Sequence, residues 1–300
     1  MQYKTLIFRK NFLLAALLAL IWLTGCVQEE FESIPPQTGN GVRFTLTVPD
    51  VEMPSVSSRT MAGTGVAKKE DEIKTVDILV FDASKTPAVY LEWVSGMGVT
   101  QDLANNNSTV SFSAVLSPTT ASTCIVVVAN KELDNIVSGF TKGATTKVEA
   151  TEKMLHAQTG KWLADGSTTG GYTRIPMYGE KVISKITPSM DPITGINMKR
   201  MLARIDIRNN SVTSNFTVEE VYLANYNTTG YIAPAWNTNG QVTDPAPDTP
   251  VLPAGSGKMA EEGNAILYSV NGNTPYDGEI YTFESLAAGD AGGAGQDGEA

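Results

Sequence analysis

Between residues 42 and 48 the chain reads VRFTLTV, with Val42, Phe44, Leu46 and Val48 apolar and Arg43, Thr45 and Thr47 polar. Successive side chains of a strand point to opposite faces, so the pattern predicts a strand with one face buried. Ile73–Asp82 (IKTVDILVFD) is the strongest strand pattern in the chain, and Ala88–Val94 and Ser108–Leu116 follow at hairpin-like spacing. Cys124–Ala129 (CIVVVA) is apolar without interruption, as in a strand covered on both faces. Helical spacing predicts two short insertions. One is Lys131–Phe140, with Leu133, Ile136, Val137 and Phe140 on one face; the other is Lys147–Gln158, with His156 as a surface or cap residue. Residues 196–209 end in alternation that sets Ala203, Ile205 and Ile207 inward against Arg204 and Asp206. Another strand group opens at Phe216.

Residues 49–69 have no period and hold one arginine, Arg59, among Ser57, Ser58, Ala62 and Gly63. Small neighbours let a protease bind a loop in extended form. Arg59 is therefore either an ordinary solvated loop residue or a site built to be cut. Pro-, Gly- and Asp-rich text fills 243–257, and the chain ends in the low-complexity AAGDAGGAGQDGEA, a composition that supports no packed structure. Many short strands with few helices predict a mostly β protein of stacked sandwiches. Val76, Ile78, Val80, Ile125, Val127 and Ile205 are expected in the core of the first.

The N-terminus changes the picture of where this protein goes. Lys4, Arg9 and Lys10 precede an apolar run from Phe12 to Leu23, which stops at LTGC, Leu23 to Cys26. The run has the length of a signal-peptide core and is too short to span a membrane as a helix. The LTGC stretch resembles a bacterial lipobox, which implies cleavage before Cys26 and acylation of that cysteine. Several acyl chains anchor firmly, at about 0.8 kcal/mol per buried CH₂. Residues 26–40 then read as a flexible tether, with Glu29–Glu30 resembling a surface-export signal and with Pro35–Pro36 and Gly39 in it. Losing Lys4, Arg9 and Lys10 with the first 25 residues takes the net charge from −10 to −13. A chain this acidic does not hold nucleic acid by neutralising phosphates.

Candidate chemistry is sparse. The chain has one histidine, His156, and two cysteines, Cys26 and Cys124. No catalytic triad, metal spacing, phosphate loop or dinucleotide fingerprint is present in the text. No catalytic residue, metal or cofactor is expected, and the chain reads as a non-enzyme. Cys124, inside an apolar run, reads as a buried structural thiol.

The order of segments is informative. A lipobox and a first strand precede a loop with an arginine. EIKTVDILVFD (Glu72–Asp82), IVVVAN (Ile125–Asn130) and IPMYGE (Ile175–Glu180) follow. RMLARIDI (Arg200–Ile207) and VEEVYLANYNTTGYI (Val218–Ile232) complete the series. From about Gly41 to Ser285 this resembles the fimbrillin family, the subunits of Bacteroidales type V pili. The resemblance implies tandem transthyretin-like β-sandwich domains and lipoprotein export to the outer membrane surface. It also implies an arginine-specific protease that cuts after the first strand, and assembly with other fimbrial subunits by strand exchange into a fimbria that supports adhesion. Carried onto this chain, lipidation falls on Cys26 and cleavage on Arg59–Thr60. The displaced strand, read as an edge strand, is Val42–Val48 with Val42, Phe44, Leu46 and Val48 as its pocket-filling face.

The expected organisation is a signal peptide at 1–25, a tether at 26–40, a first sandwich at 41–210 and a partial second sandwich at 211–300. Fimbrillins usually run on further, so the second domain and its donor strand are expected to be incomplete here. Two other readings stay open: a surface glycan-binding lipoprotein of a nutrient-uptake system, and a pilus anchor subunit that is never cut. A flat platform of exposed Trp and Tyr would mark the first of these.

Overall fold

The computed structural model describes residues 41–48, 70–101, 109–158, 160–162, 173–207, 220–224, 226–242, 251–254, 265–269 and 276–285. All lie within one unit, Gly39–Ala300. The first half contains β1 (Gly41–Thr47), β2 (Val76–Asp82), β3 (Val89–Ser95), β4 (Met97–Gln101), β5 (Thr109–Val115) and β6 (Thr123–Ala129). Helices α1 (Asp134–Val137) and α2 (Lys147–Lys153) come next, then β7 (Leu155–Ala157), β8 (Met177–Ile183), β9 (Ile193–Asn197) and β10 (Lys199–Arg200). The remaining strands are β11 (Ala203–Ile207), β12 (Glu220–Leu223), β13 (Thr229–Tyr231), β14 (Ile266–Ser269) and β15 (Tyr276–Thr282).

The fold is a mostly β sandwich. A four-stranded sheet ordered β4-β5-β1-β9 faces a five-stranded sheet ordered β10-β8-β6-β2-β3. The unbroken apolar runs of β2 and β6 have a direct cause in the layering. Ile78, Val80, Ile125 and Val127 point to the four-stranded sheet and pack with Val42, Phe44 and Leu46. Leu79, Phe81, Cys124, Val126 and Val128 point the other way, into a second core with Leu133, Ala150, Met154, Trp162, Tyr281 and Phe283. The five-stranded sheet is thus covered on both faces, and the polar groups its central strands do bury, such as Asp77, are held by hydrogen bonds.

Short elements are fixed by local chemistry. The Thr146 hydroxyl accepts from the Glu149 amide while Glu149 Oε2 accepts from the Thr146 amide, a capping box that starts α2. Gly195, at φ +72°, sits inside β9, where the β1–β9 register shifts between Phe44 and Leu46. A side chain there would be strained.

Four expectations are corrected. The first strand is not an edge strand: β1 lies between β5 and β9. The helix expected over 131–140 is a single turn, Asp134–Val137, because Leu133 is held by its amide donating to Asp77 Oδ2 at 2.9 Å. The helix expected over 147–158 ends at Lys153. Its second half becomes β7, which pairs with β13 and puts His156 opposite Gly230. His156 is therefore a half-buried strand residue, not a cap. Finally, Ile205 is 40% exposed. The side chain turned toward the body at this point of β11 is Arg204, which reaches the buried carboxylate of Glu70 at 2.6 Å. The ion pair inverts the apolar alternation.

Candidate functional site

The seat of β1 is the most constrained place in the sandwich. Along one edge, β1 is antiparallel to β5 with seven consecutive partners, from Gly41↔Val115 to Thr47↔Thr109. Along the other it is parallel to β9, with Phe44↔Ile193 and Leu46↔Ile196. Just past β9, the Met198 amide donates to the Thr47 carbonyl at 2.8 Å. Val42, Phe44, Leu46 and Val48 are 1, 1, 0 and 1% exposed. Burying a side chain of this kind contributes about 1.5–3 kcal/mol, so β1 is held by side chains and by backbone pairing on both edges. The Phe44 and Phe112 rings lie face to face, with centroids 4.8 Å apart and planes 1° from parallel.

Strand β9 reaches the opposite sheet through a missing side chain. A Cβ on Gly179 of β8 would lie 2.7 Å from Met198 Sδ and 2.8 Å from Ile196 Cγ2. This contact, and the Lys181 ammonium donating to the Thr194 carbonyl, hold β9 independently of β1.

Three consecutive acids, from Glu70 to Glu72, fasten the chain ahead of β2. Glu70 accepts from Arg204 Nη1 at 2.6 Å and from the Tyr281 hydroxyl at 2.5 Å. Asp71 pairs with Arg200, and Glu72 Oε2 accepts from Arg174 Nε at 3.0 Å. Backbone carbonyls of the same stretch are held too: Gln101 Nε2 donates to Asp71 O at 2.6 Å, and Asn130 Nδ2 donates to Glu72 O at 2.8 Å. Partly and fully buried charges persist when they are paired in this way. The clamp carried no signal in the sequence beyond a short acidic run, since its arginines come from separated elements.

Cys26, Arg59 and Thr60 lie outside the described residues. Cys124 is buried, and burial pushes its thiol up to about 11. Lys147 is buried beside it, donating to Glu180 Oε2 at 2.5 Å and to the Gly240 carbonyl at 2.6 Å. The Tyr178 hydroxyl donates to the same carboxylate oxygen at 2.6 Å. Burial raises the Tyr178 phenol well above its usual range, with Glu180 adding to the effect. His156 packs against Trp162 at 5.0 Å and Phe283 at 6.5 Å. Burial, helped by the charge of Lys131, lowers its imidazole to about 4. Among the described residues, no group of three or more His, Cys, Asp or Glu side chains converges to hold a metal ion. The half-buried pair Tyr231 and Trp236 meets edge to face, at 79° and 4.9 Å, not as a flat platform.

No curated protein matches the chain. Two solved structures from Parabacteroides distasonis ATCC 8503 align with it. One, of a protein named for a cell-adhesion role, is 14% identical and covers 84% of this chain and 73% of its own, with a TM-score of 0.48. The other, of a fimbrial assembly protein, is 10% identical and covers 79% of this chain and 87% of its own, with a TM-score of 0.38. The sequence profile of the major fimbrial subunit protein (FimA) family matches residues 42–251. That stretch opens on the enclosed strand β1 and takes in both faces of the sandwich, and on this match the chain belongs to the FimA major fimbrial subunit family.

Proposed function

We propose that this chain is a fimbrial structural subunit that travels to the outer membrane surface as a lipoprotein acylated at Cys26. An arginine-specific protease then cuts it between Arg59 and Thr60, and it joins a fimbria when a strand of another subunit takes the place of β1. The observation that carries this reading is that β1 and the body beyond residue 69 are each held by contacts of their own. The four apolar side chains of the first strand are enclosed, and the next described residue, Glu70, is fastened by its own clamp. A cut anywhere in residues 49–69 would remove only the covalent link between β1 and a body whose next strand has its own fastening. Residues 211–300 are assigned to the beginning of a second β domain. A small apolar cluster of Ile266 and Ile280 with Val221, Leu223 and Tyr226 supports this reading, while Tyr281 and Phe283 of the same stretch pack into the second core of the first sandwich. The edge-to-face packing of Tyr231 on Trp236 gives no support to a glycan platform.

The test is limited digestion of the full precursor with an arginine-specific protease. The expected products are a fragment ending at Arg59 and a folded core starting at Thr60. The Arg59→Ala precursor should fold, resist that cut and stay out of fibres. If Arg59→Ala enters fibres, strand release does not run through Arg59. If the native precursor is never cut on cells, the chain is an uncut anchor. Metabolic labelling with palmitate, lost in Cys26→Ala, tests the lipid separately.

A further inference from the structure

We propose that the seat of β1 is selective for an aromatic ring at one position. A strand from another polypeptide that takes β1's place must then bring a flat ring opposite Phe112, with aliphatic residues sufficing at its other inward positions. The proposal rests on the strand-exchange reading above and names the sequence of the partner strand.

Direction and register come first. Any occupant of this seat must run antiparallel to β5 and parallel to β9 to pair with both. Its inward side chains then meet three different surfaces: Val42 opposes Ala114, Phe44 opposes Phe112, and Leu46 opposes Val110. Two of these partners are small or aliphatic. The third is a ring, 3% exposed, whose face is covered by Phe44.

The ring of Phe112 is closely packed. Strand β4 flanks β5 on the edge away from β1, and at Gly96, just before it, an added Cβ would be 2.9 Å from Phe112 Cδ2. The Gly96 backbone is itself fixed, its amide donating to the Val76 carbonyl at 2.7 Å. Backbone thus crowds the Phe112 ring at Cδ2, and the face that Phe44 covers is matched by a parallel ring, so a planar group is the best fit there. Leucine would leave part of the ring face bare, and a closely packed interior does not collapse to fill such a gap. At positions 42 and 46, aliphatic swaps of similar volume repack with little loss.

The occupant is accordingly an extended strand with the pattern apolar–x–aromatic–x–apolar–x–apolar. The β1 segment is its template.

The full chain carrying Phe44→Ala is the receptor for the test. Its tethered strand competes at an effective concentration of about millimolar. Losing the buried ring weakens that strand by roughly 10²–10³-fold, which brings an added peptide into the micromolar range. The probe is a fluorescent peptide of residues 40–50, NGVRFTLTVPD. The native peptide should bind, and its Phe→Leu version about tenfold more weakly. A Leu→Met change at the position of Leu46 should cost less than about threefold. With Phe112→Leu in the receptor, the Phe-over-Leu preference should vanish. A receptor with Phe44→Leu repeats the series should Phe44→Ala fail to fold. Equal binding of the Phe and Leu peptides overturns the proposal, as does absence of binding by any peptide. None of these measurements needs a cut at Arg59, so failure of the processing scheme and failure of the aromatic requirement are separate results.

Discussion

Glu70 and Arg204 meet at 2.6 Å across 134 residues of chain, and the carboxylate is 3% exposed. This pair joins the segment just ahead of β2 to strand β11. The Tyr281 hydroxyl on β15 adds a bond to the same oxygen, so one buried acid ties three distant segments.

Arg204→Met should destabilise the protein by about 3 kcal/mol, because it leaves a buried carboxylate without its cation. Glu70→Gln should cost less, since the amide oxygen still accepts from Tyr281. The double variant should recover part of the loss. Urea unfolding midpoints in a double-mutant cycle measure this, and strictly additive losses would show that the pair is not coupled.

Gly230→Ala should cost about 1–3 kcal/mol by overpacking. The new Cβ would stand 2.5 Å from Phe283 Cδ1, and that ring is buried edge-on against Trp162, at 89° and 6.4 Å. Phe283→Leu should relieve part of the loss in the same background. Thermal unfolding of the two single variants and the double variant checks it.

His156 should make stability fall with acidification. Its imidazole ionises near 6.5 in an unfolded chain and at about 4 in the fold, mainly through burial. The unfolded state therefore binds the proton first. The stabilisation is complete above about pH 6.5, declines as the pH drops toward 4, and has no further to fall below that. His156→Leu should flatten this part of the curve. The readout is the difference between wild-type and variant stability across that window, which cancels the carboxylates common to both.

Cys124 should resist alkylation in the folded protein. Its thiol is buried and pushed up to about 11, so almost no thiolate exists at pH 8. Iodoacetamide should react only at the rate at which the core opens, and urea should release the reaction. Rapid labelling under native conditions would contradict the burial.

Much of this fold was written in local periodicity, and its exceptions have physical reasons. The alternation of Val42, Phe44, Leu46 and Val48 and the continuous run at Cys124–Ala129 report burial on one face and on two. That information is carried by each strand alone. The interior position of β1 was not legible, because β9 advertises itself poorly: Ile193–Asn197 is interrupted by Gly195 at φ +72°. Ile205 misled for a different reason. Arg204 is drawn inward by an acid 134 residues away, and no window around residue 204 contains that acid. The second half of α2 failed similarly, since β7 exists only through its pairing with β13. The enclosed strand could be read from seven residues; its aromatic partner Phe112 and the close approach of Gly96 could not.

The parallel pairing of β1 with β9 also sets a timetable. Strand β2 finds its neighbour β3 almost at once, but β1 must wait for a partner roughly 150 residues downstream, and contacts of such separation form late. The five-stranded sheet should therefore assemble first, around a vacancy. Refolding of the full chain should show amide protection in β1 appearing after that in β2 and β3, as read by pulsed exchange labelling. The newborn molecule would then pass through the open-seated form that the proposed strand exchange requires, and its own first strand would be the earliest competitor for that place.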